Sequence, residues 1–364
     1  MDGCCEQAVE RRSEMTVRIR VGTASWTDHE PFYPPEYNKA DRKAYRISYY
    51  AQFFSLVEVD STFYRLQPAR NFTMWADRTP DDFVFNVKAY GELTWHHRDD
   101  AKEIITPAAE TFAQFSEMIE PLRKAGKLGA LLFQFPPWFT FGPEQMEYLG
   151  TVREMLPDET IAVEFRHRSW VEGANAQETK AALADARLAF VAVDEPQVGS
   201  GSMPPIVMLT DPHFSMVRFH GRNRAMWYGK NLKSSRDRFD YLYTREELSP
   251  WAERIQRIAE ALQGSEVHVI TNNNASTRVY PAEQQELFAA SRDHAPDLPS
   301  VVWPAQPQSE SLLNALMLQH LLGQPMGMGQ PLPDTVDSAY LGEALAYHAD
   351  SVDHADGDAE LGRP

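Results

Sequence analysis

The stretch TIAVEFRHRSW, Thr160 to Trp170, carries the reading that decides the fold. Successive side chains on a strand point to opposite faces, so Ile161, Val163 and Phe165 make one bulky apolar row and Glu164 and Arg166 lie together on the other. The apolar row asks for a covering layer of helices. The charged row asks for an enclosed space where ions of both signs meet, and the interior of a closed parallel barrel is such a space.

Outward from that stretch the same texture recurs. Before it come RIRVGTASW ending at Trp26, LVEVDSTF ending at Phe63, DFVFNVKAY ending at Tyr90 and LGALLFQF ending at Phe135. After it come RLAFVAVDE ending at Glu195, FSMVRFHG ending at Gly221 and EVHVITNN ending at Asn273. Helical apolar spacing over Pro107 to Ala125, Pro143 to Leu156, Ala176 to Arg187 and Thr244 to Gln263 fills most of the gaps. Eight strands with crossover helices predict a single-domain α/β fold, a (β/α)8 barrel of TIM type, over residues 17–303. The rival is an open doubly wound sheet, but no GxGxxG or P-loop follows any run. Residues 1–16 read as a polar leader. Residues 304–364 read as an extension, with an amphipathic helix over Ser309 to Leu322 followed by an acidic tail in which His348 and His354 sit among carboxylates.

Composition narrows the class. The 364 residues are 43% hydrophobic with eight Trp, and no window approaches the roughly 18 consecutive apolar residues that a membrane helix needs. The opening MDGCCEQAVERRSEM has no apolar signal core, which points to a soluble cytoplasmic protein. Cys4 and Cys5 are adjacent in that leader and neither staple a fold nor complete a zinc site. A net charge of −17 opposes general adhesion to nucleic acid or anionic lipid, although a local basic patch can override the total.

Polar residues at period two on otherwise apolar strands are expected inside the barrel. By that rule Glu58 and Asp60, Asn86 and Lys88, Gln134, Glu164 and Arg166, Asp194, and Arg218 and His220 converge near the carboxyl ends of the strands, where barrel enzymes build their sites. For the deeper Glu58, Glu164 and Arg218 a mutually neutralising plug stands beside a functional reading. For Asp60, Lys88, Arg166, Asp194 and His220 the functional reading is favoured, because burying so many ionisable groups is costly without a use. Trp26 and Tyr64, by the ends of the first two runs, and Asn272, in the last, complete the expected lining.

The stretch HGRNRAMWYGKNLKSSRDRF after the seventh run is the most basic in the chain. Its Arg222, Arg224, Lys230, Lys233, Arg236 and Arg238, interleaved with Trp227 and Tyr228, suit an anion such as phosphate with an aromatic beside it, against the plainer reading of a solvated loop. No HExxH, CxxC pair or nucleophile elbow and no clear two-His-one-carboxylate spacing is present, so the sequence names no metal ligand and leaves the cofactor unknown, with metal binding unsupported rather than excluded. His96 and His97 follow the third run and, as adjacent loop histidines, read as solvent-facing rather than as ligands.

Taken in order, VGTASW, FYP, VEVDSTFYRLQP, FVFNVKAY, LGALLFQFPPWF, AVEFRHRSW, VRFHGR and ITNN resemble the domain-of-unknown-function 72 family, also called YecE-like, across roughly Val17 to Asn274. The resemblance implies a TIM-like barrel and supplies no reaction. It carries the family's pocket motifs onto Glu58, Lys88, Gln134, Glu164, Arg166, Arg218, His220 and Asn272. Four places depart from the family pattern: Ala24-Ser25-Trp26 replaces the commoner Ser-Gly-Trp, Asp60 stands where many members have Asn, Thr94-Trp95-His96 replaces a Thr-His pair, and Pro281-Ala282 replaces an Asn-Ala.

Two functions are expected from different classes. The first is an enzyme acting on an anionic, phosphate-bearing small molecule. Lys88, Arg166, Arg218, Arg222 and Arg224 would hold the anion, with Trp227 beside it. His220 with Asp60 or Asp194 would move protons. The second is a nucleic-acid-binding protein docking through Arg222 to Arg238, with or without metal-assisted cleavage, an idea the family's likeness to zinc-dependent apurinic endonucleases prompts.

Overall fold

Eight parallel strands close a barrel in sequence order: β1 (Arg18–Ala24), β2 (Leu56–Val59), β3 (Val84–Lys88), β4 (Leu128–Gln134), β5 (Ile161–Glu164), β6 (Leu188–Asp194), β7 (Phe214–Phe219) and β8 (Glu266–Thr271). The computed structural model describes residues 17–29, 32, 33, 37, 39, 42–97, 106–229, 232, 235–264, 266–273 and 309–324. Each predicted strand falls inside its predicted run.

The outer layer holds α1 (Arg46–Tyr50), α2 (Ala69–Asp77), α3 (Ala109–Lys124), α4 (Pro143–Met155), α5 (Asn175–Asp185), the single turn α6 (Arg224–Trp227), α7 (Arg245–Ala261) and α8 (Glu310–Leu321). The first two are additions to the sequence reading. At five residues α1 is too short for a periodic signal, and the Tyr50 hydroxyl fixes it by donating to Leu56 O at 3.0 Å and accepting from Thr23 N at 2.9 Å. No described helix joins β6 to β7. There Thr210 Oγ1 accepts from Phe190 N at 2.8 Å and donates to Leu188 O at 2.7 Å, tying the connection to β6. No described helix is long and apolar enough to cross a membrane.

Paired residues in a parallel sheet face the same side, so register assigns faces. Ala24 pairs with Glu58, Glu58 with Asn86, Gln134 with Glu164, and Val193 with Arg218, which is the row that looks inward. Asp194 pairs with Phe219 on the outward row. The expectation that Asp194 faces the interior is therefore corrected.

The interior has two polar storeys. In the lower one Arg20 Nε donates to Glu266 Oε1 at 2.7 Å, and the fully buried His268 reaches Glu266 Oε2 at 2.8 Å and Asn86 Oδ1 at 2.9 Å. A register shift between β3 and β4 puts Gly129 against this network, and a Cβ there would stand 2.5 Å from Asn86 Oδ1. Glycine is what leaves room for the amide.

Helix α8 departs from its amphipathic expectation. Residues Glu310 through Gln319 are all buried, and the helix packs on β1, β8 and α7 as part of the ring around the barrel. Its polar residues turn inward to backbone groups: Ser311 Oγ donates to Thr271 O at 2.8 Å, and Asn314 accepts from Tyr243 N at 3.2 Å and donates to Tyr243 O at 3.1 Å.

Candidate active site at the carboxyl ends of the strands

The upper storey is built around Arg218 of β7. Its guanidinium, wholly buried, donates to Glu164 Oε2 and to Glu58 Oε1, each at 2.5 Å, and so joins β2, β5 and β7. Burial pushes the Glu164 carboxyl upward, yet Arg166, Arg218 and His220 together hold it well below the ordinary carboxylate range. Glu58, Glu164 and Arg218 thus meet in one buried cluster, the trio for which the sequence left a plug and a functional reading side by side.

Arg166 lies one step nearer the surface. Its Nε stands 2.7 Å from Glu164 Oε1, Nη1 donates to Glu195 Oε2 at 2.7 Å, and Nη2 reaches Gln134 Oε1 at 3.4 Å. Trp227 covers it, with the guanidinium 5.7 Å from the ring centroid. Burial pushes Glu195 up to about 7, against the pull of Arg166 and of the Met203 N–H that bonds its other oxygen at 2.7 Å. Sequence reading quoted Glu195 without assigning it. Its parity with Val191 and Val193, the inward row of β6, was the available signal.

His220 is fully buried and both ring nitrogens face protein: Nδ1 is 3.1 Å from Asn272 Nδ2, and Nε2 is 3.2 Å from Glu164 Oε1 and 3.1 Å from Arg166 Nη2. The donors Asn272 Nδ2 and Arg166 Nη2 face Nδ1 and Nε2 respectively, and the acceptor Glu164 Oε1 also faces Nε2. Burial and then Arg166 depress its basicity to about 3. Both ring nitrogens are engaged with Asn272, Glu164 and Arg166, so the ring braces that network.

The half-exposed edge of the cluster consists of Asp60, Lys88, His96, Gln134 and Asn272. Burial, with Asp60 adding to it by its charge and by a side-chain hydrogen bond, raises Glu58 to about 8. Lys88 Nζ stands 4.6 Å over the Phe63 ring. Burial, and then Arg218, lower its basicity while Asp60, Glu58 and Glu164 oppose that fall. His96 packs against the same Phe63 ring, with centroids 4.8 Å apart, so it borders the cluster rather than facing bulk solvent.

Other expected residues fall elsewhere. Asp194 is gripped on the outer side by Arg222 at 2.8 and 2.7 Å, by the Tyr243 hydroxyl at 2.7 Å and by Trp251 Nε1 at 2.7 Å, the last on α7. Arg222, also bonded to Glu247 at 3.2 Å, is thereby engaged in structure rather than open to an anion. Trp26 packs edge-on against Trp75 of α2 at 5.0 Å, in the helical layer. Tyr64 is 73% exposed beside Phe63, and Arg224 is exposed. Trp227 is buried, 6.5 Å from the His220 ring and 6.0 Å from Phe239. Lys230, Lys233, the Arg236 side chain, Cys4, Cys5, Pro281, Ala282, His348 and His354 lie outside the described residues. Among the described residues no group of three or more His, Cys, Asp or Glu side chains could hold a metal ion.

Comparison with known proteins agrees with this architecture. The sequence profile described as "Protein of unknown function DUF72" matches residues 20–306. The chain belongs to the DUF72 family. It is 36% identical over 265 residues to the UPF0759 protein YunF of Bacillus subtilis (strain 168), a match spanning 71% of this chain and 89% of that one. A DUF72 family protein of Enterococcus faecalis, solved by crystallography, superposes with a TM-score of 0.67 at 25% identity, covering 88% of this chain and 100% of the other. One from Thermotoga maritima gives 0.63 at 29% identity, covering 84% and 100%. This DUF72 chain thus shares the barrel of its solved relatives.

Proposed function

We propose that this protein is an enzyme acting on a small molecule with one anionic group, which Lys88 holds at the barrel mouth while the Glu58–Asp60 carboxyl pair passes a proton. The observation that carries the reading is the position of Lys88. Among the described residues its ammonium has a ring face beneath it and no direct ion pair or hydrogen bond, with Asp60, Glu58 and Glu164 acting on it only through space, whereas Arg166 and Arg218 are each tied to two carboxylates. A half-buried cation that no carboxylate clamps favours a bound anion. Beside it Glu58, raised by burial to about 8, keeps a proton near neutrality, and Asp60 adjoins it as a second carboxyl group.

The phosphate expectation narrows accordingly. With Arg166 and Arg218 neutralised and Arg222 held by Asp194, Lys88 is the cation left unclamped in this cluster among the described residues, and that matches a carboxylate or a phosphodiester better than a phosphate dianion. Melting-temperature shifts across a panel of small carboxylates and phosphoesters test this. At least one anion should stabilise the wild type, lose its effect in Lys88→Met and retain it in Arg224→Ala. Equal shifts in wild type and Lys88→Met would sink the reading.

A further inference from the structure

The connection between β3 and α3 brings a second ionisable side chain to the same mouth. We infer that His96 is a general base of this site, with the Nε2 lone pair of a fixed tautomer directed at the molecule that Lys88 holds. This rests on the reading of Lys88 given above.

The turn Gly91–Thr94 is a short 3-10 helix, and Trp95 after it takes φ 61°, in the left-handed region that a bulky residue rarely adopts. Packing pins that conformation, because the Trp95 indole is buried against Phe139 at 5.0 Å and Tyr148 at 5.2 Å. The reversal turns the next side chain back toward the barrel, and His96 N closes it by donating to Gly91 O at 3.0 Å. The His96 ring is then wedged edge-on between Phe63 and Trp138, the latter at 5.9 Å, and the Trp138 Nε1–H donates to Trp95 O at 3.0 Å.

Hydrogen bonding selects the tautomer. Thr94 Oγ1 donates to Gly91 O at 3.2 Å and lies 2.8 Å from His96 Nδ1. A hydroxyl has one proton, so with that proton on Gly91 the Nδ1–H is the donor and Nε2 is left with its lone pair. A further hydrogen bond to the Thr94 main chain, which favours a protonated ring, agrees with Nδ1 as donor. Among the described residues Nε2 has no partner.

Burial depresses the basicity of His96 to about 3, and Lys88 on β3, His97 on its own loop and Arg166 on β5 push the same way. Arrival of an anion at Lys88 offsets one of those charges, so the base strengthens when a ligand is present. In the step itself Nε2 takes a proton from a carbon next to a carbonyl of the bound molecule. The electron pair of the broken C–H bond passes into an enolate, and returning the proton to the enolate oxygen or to its other carbon completes an isomerisation and restores the ring.

Nitrogen-15 spectroscopy of histidine-labelled protein tests the assignment without a known substrate. The His96 signals should report Nδ1–H with a bare Nε2 from about pH 8 down to about pH 5, and Thr94→Val should scramble the tautomer while Thr94→Ser retains it. Lys88→Met should raise the His96 titration midpoint by at least half a unit. Diethylpyrocarbonate should modify His96 and spare His220 and His268. An Nε2–H tautomer, a titration midpoint unmoved by Lys88→Met or an unreactive His96 would each overturn the proposal. Because these readouts need no ligand, they stand apart from the anion-binding test of Lys88.

Discussion

At the residue scale, one burial moves acids and bases in opposite directions. Glu58 and Glu195 rise from 4.5 to about 8 and about 7, whereas His220 and His96 fall from 6.5 to about 3. The raised carboxyls give stability that is present below about pH 4.5 and lost as pH rises through 7 and 8, because the folded chain holds protons that the unfolded chain has released. The depressed imidazoles give stability present above 6.5 and lost as pH falls toward 3. The two effects oppose between 4.5 and 6.5, and only the carboxyls act between 6.5 and 8. Urea titrations should show wild-type stability falling by ~1 kcal/mol or more from pH 6.5 to 8, and Glu58→Gln combined with Glu195→Gln should flatten that slope. An unchanged slope in the double variant contradicts the assignment. Most of this cluster was legible, because period two alone places Glu58, Glu164, Arg166, Arg218 and Lys88 on one face. Asp194 was misread because polarity was taken to mean inward, and its partners Tyr243 and Trp251 are remote in sequence. His96 escaped because the left-handed residue before it breaks every periodic pattern.

At the scale of elements, α8 does what a barrel helix does and something more. Its Asn314 accepts from Tyr243 N and Asn273 Nδ2 and donates to Tyr243 O, so one amide satisfies groups from two neighbouring segments. Asn314→Leu leaves those groups buried and unpaired and should cost ~2–4 kcal/mol, measured as a drop in urea midpoint with the m-value unchanged. A neutral result would mean that the helix is held by its leucines alone. The sequence located this helix and mistook its polar face for a solvent face. Period cannot distinguish polar side chains that meet water from those that meet strand ends. The eight strands were readable because each is a compact β-rich run. The short α1 and the helix-free β6–β7 connection were not, since neither leaves a periodic trace.

At the scale of the whole molecule, charge distribution bears on the nucleic-acid reading. The chain carries −17, and Arg222 of the basic stretch is held between Asp194 and Glu247. Filter binding with single-stranded and duplex DNA should show no affinity that grows as salt falls from about 200 to about 50 mM. A steep salt dependence that Arg224→Ala flattens would restore that reading. The Arg218 clamp has a consequence for how such a barrel can be assembled. Its three members come from the second, fifth and seventh strands, and the Glu58–Arg218 bond spans 160 positions of chain. If the chain were severed between β4 and β5, the carboxy-terminal piece would own Arg166 and Arg218 with Glu164 and Glu195, and the amino-terminal piece would own the Glu58–Asp60 pair with Lys88 and His96. The clamp would then belong to neither fragment. It forms at the seam, so a half-length ancestor of this fold, doubled with itself, would have lacked the clamp until its two copies had diverged.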